Sequence, residues 1–304
     1  MALVSQPSDA KANLTGALWM ITAMALFAVE DTLIKAAAQT IPVGQIMVLF
    51  GFGGAMIFAA LTLRARQPLF VPDVVSWPMR IRFVFEVTGR LFYFLALAMI
   101  PLSAATVILQ ATPLAVVAGA AIVFGEKVGW RRWAAIVVGL IGVVIIVQPG
   151  TESFSKLSIL AIIGMIGFAG RDLASRAAPK TISTTILGLY GFITVIIAGA
   201  LFAAVQGTGF VRPSGAAAGY LAAAVCIGVF AYSCLMKAMR TGDVSAVTPF
   251  RYTRLLFGIA CGVILFGETI TGPMVIGSGL IVVSGVFIMW RGRQIQNQSP
   301  KSSL

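Results

Sequence analysis

Ten apolar runs alternate with short polar stretches along this 304-residue chain. They fall near residues 14–37, 43–63, 81–100, 102–123, 132–147, 157–177, 183–205, 216–239, 244–266 and 273–291. A bilayer core takes about 20 helical residues to cross. Lipid offers backbone groups no partner, so each run is predicted as a helix that satisfies its own hydrogen bonds. The fifth run is short and is expected to begin within the Trp130-to-Trp133 stretch. The links at 100–102 and 239–244 permit only antiparallel hairpins, and no linker is long enough to form a further domain. The first run is too long for a signal peptide and lacks a cleavage flank, so it reads as a retained span. Residues 1–13 and 292–304 are polar tails, expected on the cytoplasmic side and without fixed structure.

The pattern also repeats. Met24, Phe27, Ala28, Asp31, Ala36, Ala37, Thr40 and Ile41 recur, 141 positions on, as Met165, Phe168, Ala169, Asp172, Ala177, Ala178, Thr181 and Ile182. Phe124-Gly125-Glu126 recurs as Phe266-Gly267-Glu268, and Ser103, Ala104 and Thr106 as Ser245, Ala246 and Thr248, both 142 positions on. The repeating unit holds five runs. An odd-membered unit enters the membrane from opposite sides in its two copies, which is the inverted-repeat plan of alternating-access transporters. The expected architecture is therefore an all-α integral membrane protein. Its ten transmembrane helices form two inverted five-helix repeats, residues 14–147 and 157–291.

Composition agrees with a lipid solvent: 59% of residues are hydrophobic and 11% charged, against about 25% charged in soluble domains. The net charge of +12 does not indicate nucleic acid, because the basic residues sit in short loops between apolar runs. With the N-terminus inside, Arg64, Arg66, Arg80, Arg82, Lys127, Arg131, Arg132, Arg176, Lys180 and others lie in cytoplasmic segments, while the opposite loops hold Lys156 and Arg212. That bias places both termini in the cytoplasm of a bacterial-type inner-membrane protein. Trp77, Trp130, Trp133 and Trp290 fall near the same ends, as interfacial anchors do. Glycines such as Gly51, Gly53, Gly54, Gly139, Gly142 and Gly277 are expected to let helix backbones approach closely. Cys226, Cys234 and Cys261 lie inside apolar runs and read as packing residues rather than disulfide or metal ligands.

Ionisable residues inside a membrane are costly and call for a partner or a function. The acids within the runs are Glu30, Asp31, Glu86 and Asp172, and the bases are Lys35, Arg90, Arg171, Arg251 and Arg254. Asp31 and Lys35 are four apart, as are Asp172 and Arg176, and Arg82, Glu86 and Arg90 form a ladder at that spacing. Two readings stand for these pairs. They either neutralise charge within one helix, or act as gates at the two faces of the membrane, with Asp31 near the outer face and Asp172 near the inner one.

Arg251 and Arg254 are three apart with no acid at helical spacing. Arg254 lies about 15 Å into its run, near the midplane. The matching stretch of the first copy, Val107 to Pro113, is uncharged and offers Gln110. Either Glu86 or Glu30 from a neighbouring helix pairs with these arginines, or their guanidinium forks meet a substrate carboxylate or phosphate, the reading favoured here. Tyr252, Arg90 and the ring of Tyr93, within Phe92-Tyr93-Phe94, join Arg251, Arg254 and Gln110 as expected substrate contacts. Glu30 has no basic partner at helical spacing. A carboxyl group taken out of water can hold and release a proton, which makes Glu30 the first residue assigned to coupling. Asp31, Asp172 and Glu86 join it as coupling or gating residues.

The ten runs in two inverted halves, the short hairpin between the third and fourth, and the Phe-Gly-Glu closing the fourth and ninth resemble the EamA-like branch of the drug/metabolite transporter superfamily. The resemblance covers about Leu14 to Met289. It implies a central cavity bordered by the first, third, fourth, sixth, eighth and ninth spans. Glu30, Asp31, Glu86, Arg90, Gln110, Asp172, Tyr232, Arg251, Tyr252 and Arg254 would then lie at or near that cavity, with the fifth and tenth spans as peripheral supports. Thr248-Pro249-Phe250-Arg251-Tyr252 resembles the same stretch in S-adenosylmethionine-importer-like members. Glu126 and Glu268, at membrane ends on opposite sides, are expected to take a capping or interfacial role rather than to touch substrate. The implied function is secondary transport of a small metabolite: an amino acid, a riboflavin-like or an S-adenosylmethionine-like solute, with proton or counter-solute coupling.

Two other functional classes, a membrane-embedded enzyme and a channel, have their own signatures. A membrane-embedded enzyme is disfavoured by the absence of histidine and of metal-ligand clusters, so no cofactor or metal is expected. Gly125-Glu126-Lys127 lacks the glycine spacing of a phosphate loop, so no ATP engine is expected. A channel would show high, non-saturating flux.

Overall fold

The computed structural model describes residues 7–125, 128–148, 155–179, 181–207, 209–241 and 247–298. Among them every regular element is helical: α1 Pro7–Ala37, α2 Val43–Arg64, α3 Trp77–Met99, α4 Leu102–Leu109, α5 Thr112–Val123, α6 Trp130–Val147, α7 Ser158–Arg176, α8 Thr184–Gln206, α9 Gly215–Thr241, α10 Thr253–Phe266 and α11 Gly272–Gln298. Short 3₁₀ turns occupy Pro72–Val75 and Thr248–Tyr252. α4 and α5 are one span broken at Gln110–Ala111, and the turn at Thr248–Tyr252 leads into α10 as the ninth span.

Nine of these stretches are long and apolar enough to cross a membrane. α3 is the tenth. Its 23 residues span about 35 Å as a helix. It falls short on apolar character because it carries Arg80, Arg82, Glu86 and Arg90, the last three of which lie in the candidate site described below. The protein is a multi-pass membrane protein.

Two expectations about the tails change. The first helix begins at Pro7 and the last continues to Gln298, so residues expected to lack structure are helical. Once a helix is nucleated in lipid, each added turn satisfies its own backbone, and proline at the first turn loses nothing. The last six residues lie outside the described residues.

The break in the fourth span has a local cause. Pro113 enters the first turn of α5 without an amide hydrogen. The Thr112 hydroxyl donates instead to the carbonyl of Leu109, at 2.5 Å. The amides of Gln110 and Ala111 turn back to Val107 and Ile108. This leaves the Gln110 side chain aimed across at the ninth span.

α1 lies along α9, α2 along α8, α3 along α7 and α6 along α11, while α10 packs on both α4 and α1. Each pairing joins a helix from the first half to one from the second, so the halves interleave. Glycine permits the close crossings. A Cβ on Gly44 would stand 2.9 Å from the carbonyl oxygen of Gly199, and one on Gly142 would stand 2.7 Å from that of Gly277. One on Gly89 would stand 2.9 Å from the Phe168 ring. Small residues here replace the hydrophobic drive that lipid cannot supply.

Candidate functional site

The short link from α3 to α4 is held from both sides by charge. Lys35 of α1 donates to the carbonyls of Leu97 and Ile100, at 3.1 and 2.6 Å, where α3 ends. Glu268, just beyond α10, accepts from the amides of Leu102 and Ser103, at 2.6 and 2.9 Å, and from the Ser103 hydroxyl at 2.6 Å. A cation meets the C-terminal end of one helix and an anion the N-terminal end of the next, each matching the helix dipole. The Phe-Gly-Glu motif explains the reach of Glu268. Gly267 adopts φ +64° and ends α10 in the left-handed region, which glycine enters without a Cβ penalty. The amide of Glu268 then bonds back to the Gly262 carbonyl at 3.0 Å, turning its side chain over that glycine. Glu268 is thus a cap, as expected. Gly125 of the first copy has φ +63°, and Glu126 lies outside the described residues.

One turn deeper, the repeated Phe and Asp show what they share. Phe27 and Asp31 are four apart on α1, and both face Arg254. Its Nη2 lies 2.6 Å from the Asp31 carboxylate, and its guanidinium lies 5.2 Å from the Phe27 ring centre. Phe168 and Asp172 on α7 face Arg171 in the same way, at 2.8 Å and 4.8 Å. In each copy a carboxylate and a ring one turn apart form a seat for a guanidinium, combining an ion pair with a cation–π contact. Tyr93 of α3 adds its hydroxyl to the first seat, donating to Asp31 at 2.9 Å.

These contacts correct the expected local pairs. Asp31 is bound to Arg254, 223 positions away, and Lys35 is used on the α3 carbonyls instead. Four-residue spacing allows an Asp–Lys contact. A planar guanidinium presented from α10, with the end of α3 within reach of the lysine, offers both groups better partners. Asp172 holds its neighbour Arg171. The Arg176 side chain lies outside the described residues. The α3 ladder forms in its first half: Arg82 and Glu86 are 2.9 Å apart, and Arg171 approaches Glu86 at 3.7 Å. Neither Glu30 nor Glu86 pairs with Arg251 or Arg254.

Of the charged groups in the interior of the spans, the side chains of Glu30, Arg90 and Arg251 have no hydrogen bond or ion pair among the described residues. Glu30 is 4% exposed, and its Oε2 is enclosed without a partner, as is Nε of Arg90. The Glu30 carboxyl rests against α9 at Gly228, where a Cβ would come within 3.0 Å of it. Arg90 lies over Phe168, on the side of α7 that also receives Arg171. Glu30 feels the fields of Arg90 and Arg254, and Arg251 that of Asp172. Gln110 donates to the carbonyl of Arg251 at 3.0 Å, tying the broken fourth span to the 3₁₀ turn of the ninth. Tyr232 of α9 reaches the Thr184 carbonyl at 3.4 Å.

Tyr252 departs from expectation. It is buried, and it turns away from this cluster onto α11, into room that Gly285 leaves by having no side chain. The 3₁₀ turn rotates it off the face that carries Arg251. Among the aromatics of α3, Phe94 packs against Phe50 in the core, at 5.7 Å between ring centres. A crevice of about 60 Å³ beside the cluster is lined by Arg82, Glu86, Tyr190 and Thr194, well below the roughly 300 Å³ at which small-molecule pockets begin.

Comparison with known proteins gives the family. The model of the EamA-like transporter family matches residues 14–148 and again 155–290. The chain belongs to that family. A riboflavin transporter of Rhizobium johnstonii is 26% identical over 95% of this chain and 94% of its own. An S-adenosylmethionine uptake transporter of Rickettsia prowazekii is 23% identical over 96% of this chain and 98% of its own. A pseudopaline exporter of Pseudomonas aeruginosa is 26% identical over 89% of this chain and 94% of its own. A solved crystal structure superposes with a TM-score of 0.59 at 20% identity, covering 92% of this chain and 98% of that one, so the fold is shared. The protein is therefore an EamA-like transporter of the drug/metabolite transporter superfamily. Reading the sequence missed the partner of Arg254, the role of Arg171 and the space at Gly228. The recurrence of Phe27 with Asp31 as Phe168 with Asp172 was the available signal for the first two.

Proposed function

We propose that this EamA-like transporter is a secondary carrier that moves a small metabolite across the cytoplasmic membrane by alternating access. The substrate is a carboxylated, amino-acid-like or flat polar solute, carried unchanged. Residues 14–147 and 157–291 are the two inverted halves, with both termini cytoplasmic. The helix pairing supports this: exchanging each helix for its counterpart five spans on turns the α1–α9 pair into α7–α3, and leaves α2–α8, α4–α10 and α6–α11 unchanged. A two-fold axis in the membrane plane produces that symmetry. Arg251, Arg254, Arg90, Gln110 and Tyr93 line the substrate path, and Glu30, Asp31, Asp172 and Glu86 serve coupling and gating.

The observation that carries this reading is the state of the interior charges. Arg254 closes on Asp31 and Tyr93 across the two halves, while the side chains of Glu30, Arg90 and Arg251 have no hydrogen bond or ion pair among the described residues. Unpaired charge at membrane depth is costly to keep unless it meets a substrate or an ion. The test is uptake by purified protein in proteoliposomes. The solutes are radiolabelled amino acids, riboflavin, S-adenosylmethionine and small organic acids, each with and without an imposed pH gradient. Saturable uptake that the Arg251→Ala/Arg254→Ala double variant loses supports the carrier. Flux that never saturates would make the protein a channel and overturn it.

A further inference from the structure

Away from the central cluster, the fifth and tenth spans reach one membrane edge together. Gly142 of α6 meets Gly277 of α11, and a Cβ on Gly139 would stand 3.1 Å from that of Ser284. Numbers fall on one helix as they rise on the other, so the pair is antiparallel and the start of α6 lies beside the far part of α11. A hollow of about 180 Å³ opens there, lined by Gly129, Trp130, Arg131, Arg132 and Arg291. Small-molecule pockets begin at roughly 300 Å³, so this one suits a single charged group rather than a whole metabolite.

The charge of the lining has one sign. Arg131 and Arg132 make no ion pair among the described residues, and Nε of Arg132 is enclosed without a hydrogen-bond acceptor. Arg131 lies over the Trp130 ring, 5.5 Å from its centre. Positive residues at a membrane end set topology, but that rule asks only for charge in a loop. It does not gather guanidiniums from two helices around a hollow, nor enclose one of them without an acceptor. α6 also begins with no side-chain cap and no acid in its first turn, which leaves its first amides to an outside acceptor. The same side of the pair faces lipid. Trp130 and Trp290 are 75% and 51% exposed, and Val137, Ile141 and Val283 continue the exposed apolar surface along both helices.

We propose that this hollow holds the phosphodiester of an acidic membrane lipid, its acyl chains lying along the exposed faces of α6 and α11. Guanidinium forks match phosphate oxygens in pairs, and basic pockets between transmembrane helices seat acidic headgroups. Phosphate chemistry alone would also admit the free ion. The apolar faces beside the hollow decide for the lipid, since free phosphate has nothing to lay on them. A zwitterionic headgroup brings an ammonium that the arginines repel, so a headgroup of net negative charge is preferred. The bound lipid would clasp the fifth span to the tenth, whatever solute the protein carries.

The experiment titrates full-length protein in uncharged detergent with phosphatidylglycerol, phosphatidylcholine and inorganic phosphate. Native mass spectrometry counts bound lipid, and the thermal unfolding midpoint is followed in parallel. The expected result is saturable binding of phosphatidylglycerol, with the other two weaker by about tenfold or more, the worth of one charged hydrogen bond. Arg132→Gln/Arg291→Gln should weaken phosphatidylglycerol by a similar factor. Arg64→Gln/Arg66→Gln, which removes the same charge from the end of α2, should leave it unchanged. Equal losses in the two variants would reduce the effect to diffuse surface charge and overturn the site, as would undiminished binding by the Arg132/Arg291 variant. Phosphatidylcholine held as tightly as phosphatidylglycerol would overturn the preference for an acidic headgroup. Inorganic phosphate that displaces phosphatidylglycerol at equal concentration would make this a free-anion site and overturn the lipid. The ranking of the three ligands on the unaltered protein decides the matter even where a variant fails to fold.

Discussion

Asp31 and Asp172 occupy the same position in the two copies, yet they are used differently. Asp31 is 3% exposed and reaches across the molecule to Arg254 and Tyr93. The Asp172 side chain is 30% exposed and holds the residue next to it. The cause is the ninth span. Arg254 has Thr112 as its counterpart in the first copy, so α5 offers Asp172 no guanidinium. One seat joins α1 to α10 directly, while the other is closed by a neighbour within α7 and meets α3 at longer range, with Arg171 3.7 Å from Glu86.

The largest expected effect comes from removing that arginine. Arg254→Ala leaves Asp31 enclosed without its cation, at a cost of about 3–5 kcal/mol. It should lower the thermal unfolding midpoint in detergent sharply and abolish uptake. Arg171→Ala should cost less, because Asp172 is partly open to water and Glu86 keeps Arg82. Equal losses would erase the distinction between the seats.

Next comes the carboxylate itself. Asp31→Asn keeps the shape and loses the charge, so uptake should fall by about tenfold or more, the worth of one charged hydrogen bond, while the protein still folds. Asp172→Asn acts on a half-buried pair of neighbours within one helix, and its unfolding midpoint should fall less than that of Asp31→Asn. Unchanged transport by Asp31→Asn would remove Asp31 from any gate.

Smaller again is Gly267→Ala. A Cβ in the left-handed region costs about 1–2 kcal/mol and would swing Glu268 off its amides. Unfolding midpoints of this variant and of Glu268→Gln should fall by similar amounts. A much larger fall for Glu268→Gln would mean the carboxylate is held there by something other than the glycine turn.

The ten helices were legible because apolar runs of bilayer length carry their own signal, and α3 was legible despite its charges because those charges recur on one side. The partners of the charges were not. Asp31 with Lys35 satisfied the spacing rule for a helix face, but spacing describes a helix alone, and the neighbour that wins is 223 positions away. Tyr252 sat between two site arginines in sequence and left them in space, because in a 3₁₀ turn the residue next to Arg251 points about 120° away from it while the residue three on returns to its face. Gly228 carried no signal at all, since a glycine that makes room for a carboxyl looks like any other in a span rich in small residues. Helix ends ran past the polar tails for a similar reason: polarity marks where lipid stops, not where backbone bonding stops.

The cap on α4 also bears on the order in which the chain can be finished. The amide of Leu102 waits for a carboxylate 166 positions later, so while the protein is being synthesised the third and fourth spans enter the membrane with that helix start unanswered. The first five spans alone are thus an unfinished product. A chain ending at residue 148 should insert, yet its residue-102 region should stay open to a membrane-impermeant thiol reagent when Ser103 is replaced by cysteine. Supplying residues 155–298 as a separate chain should close it.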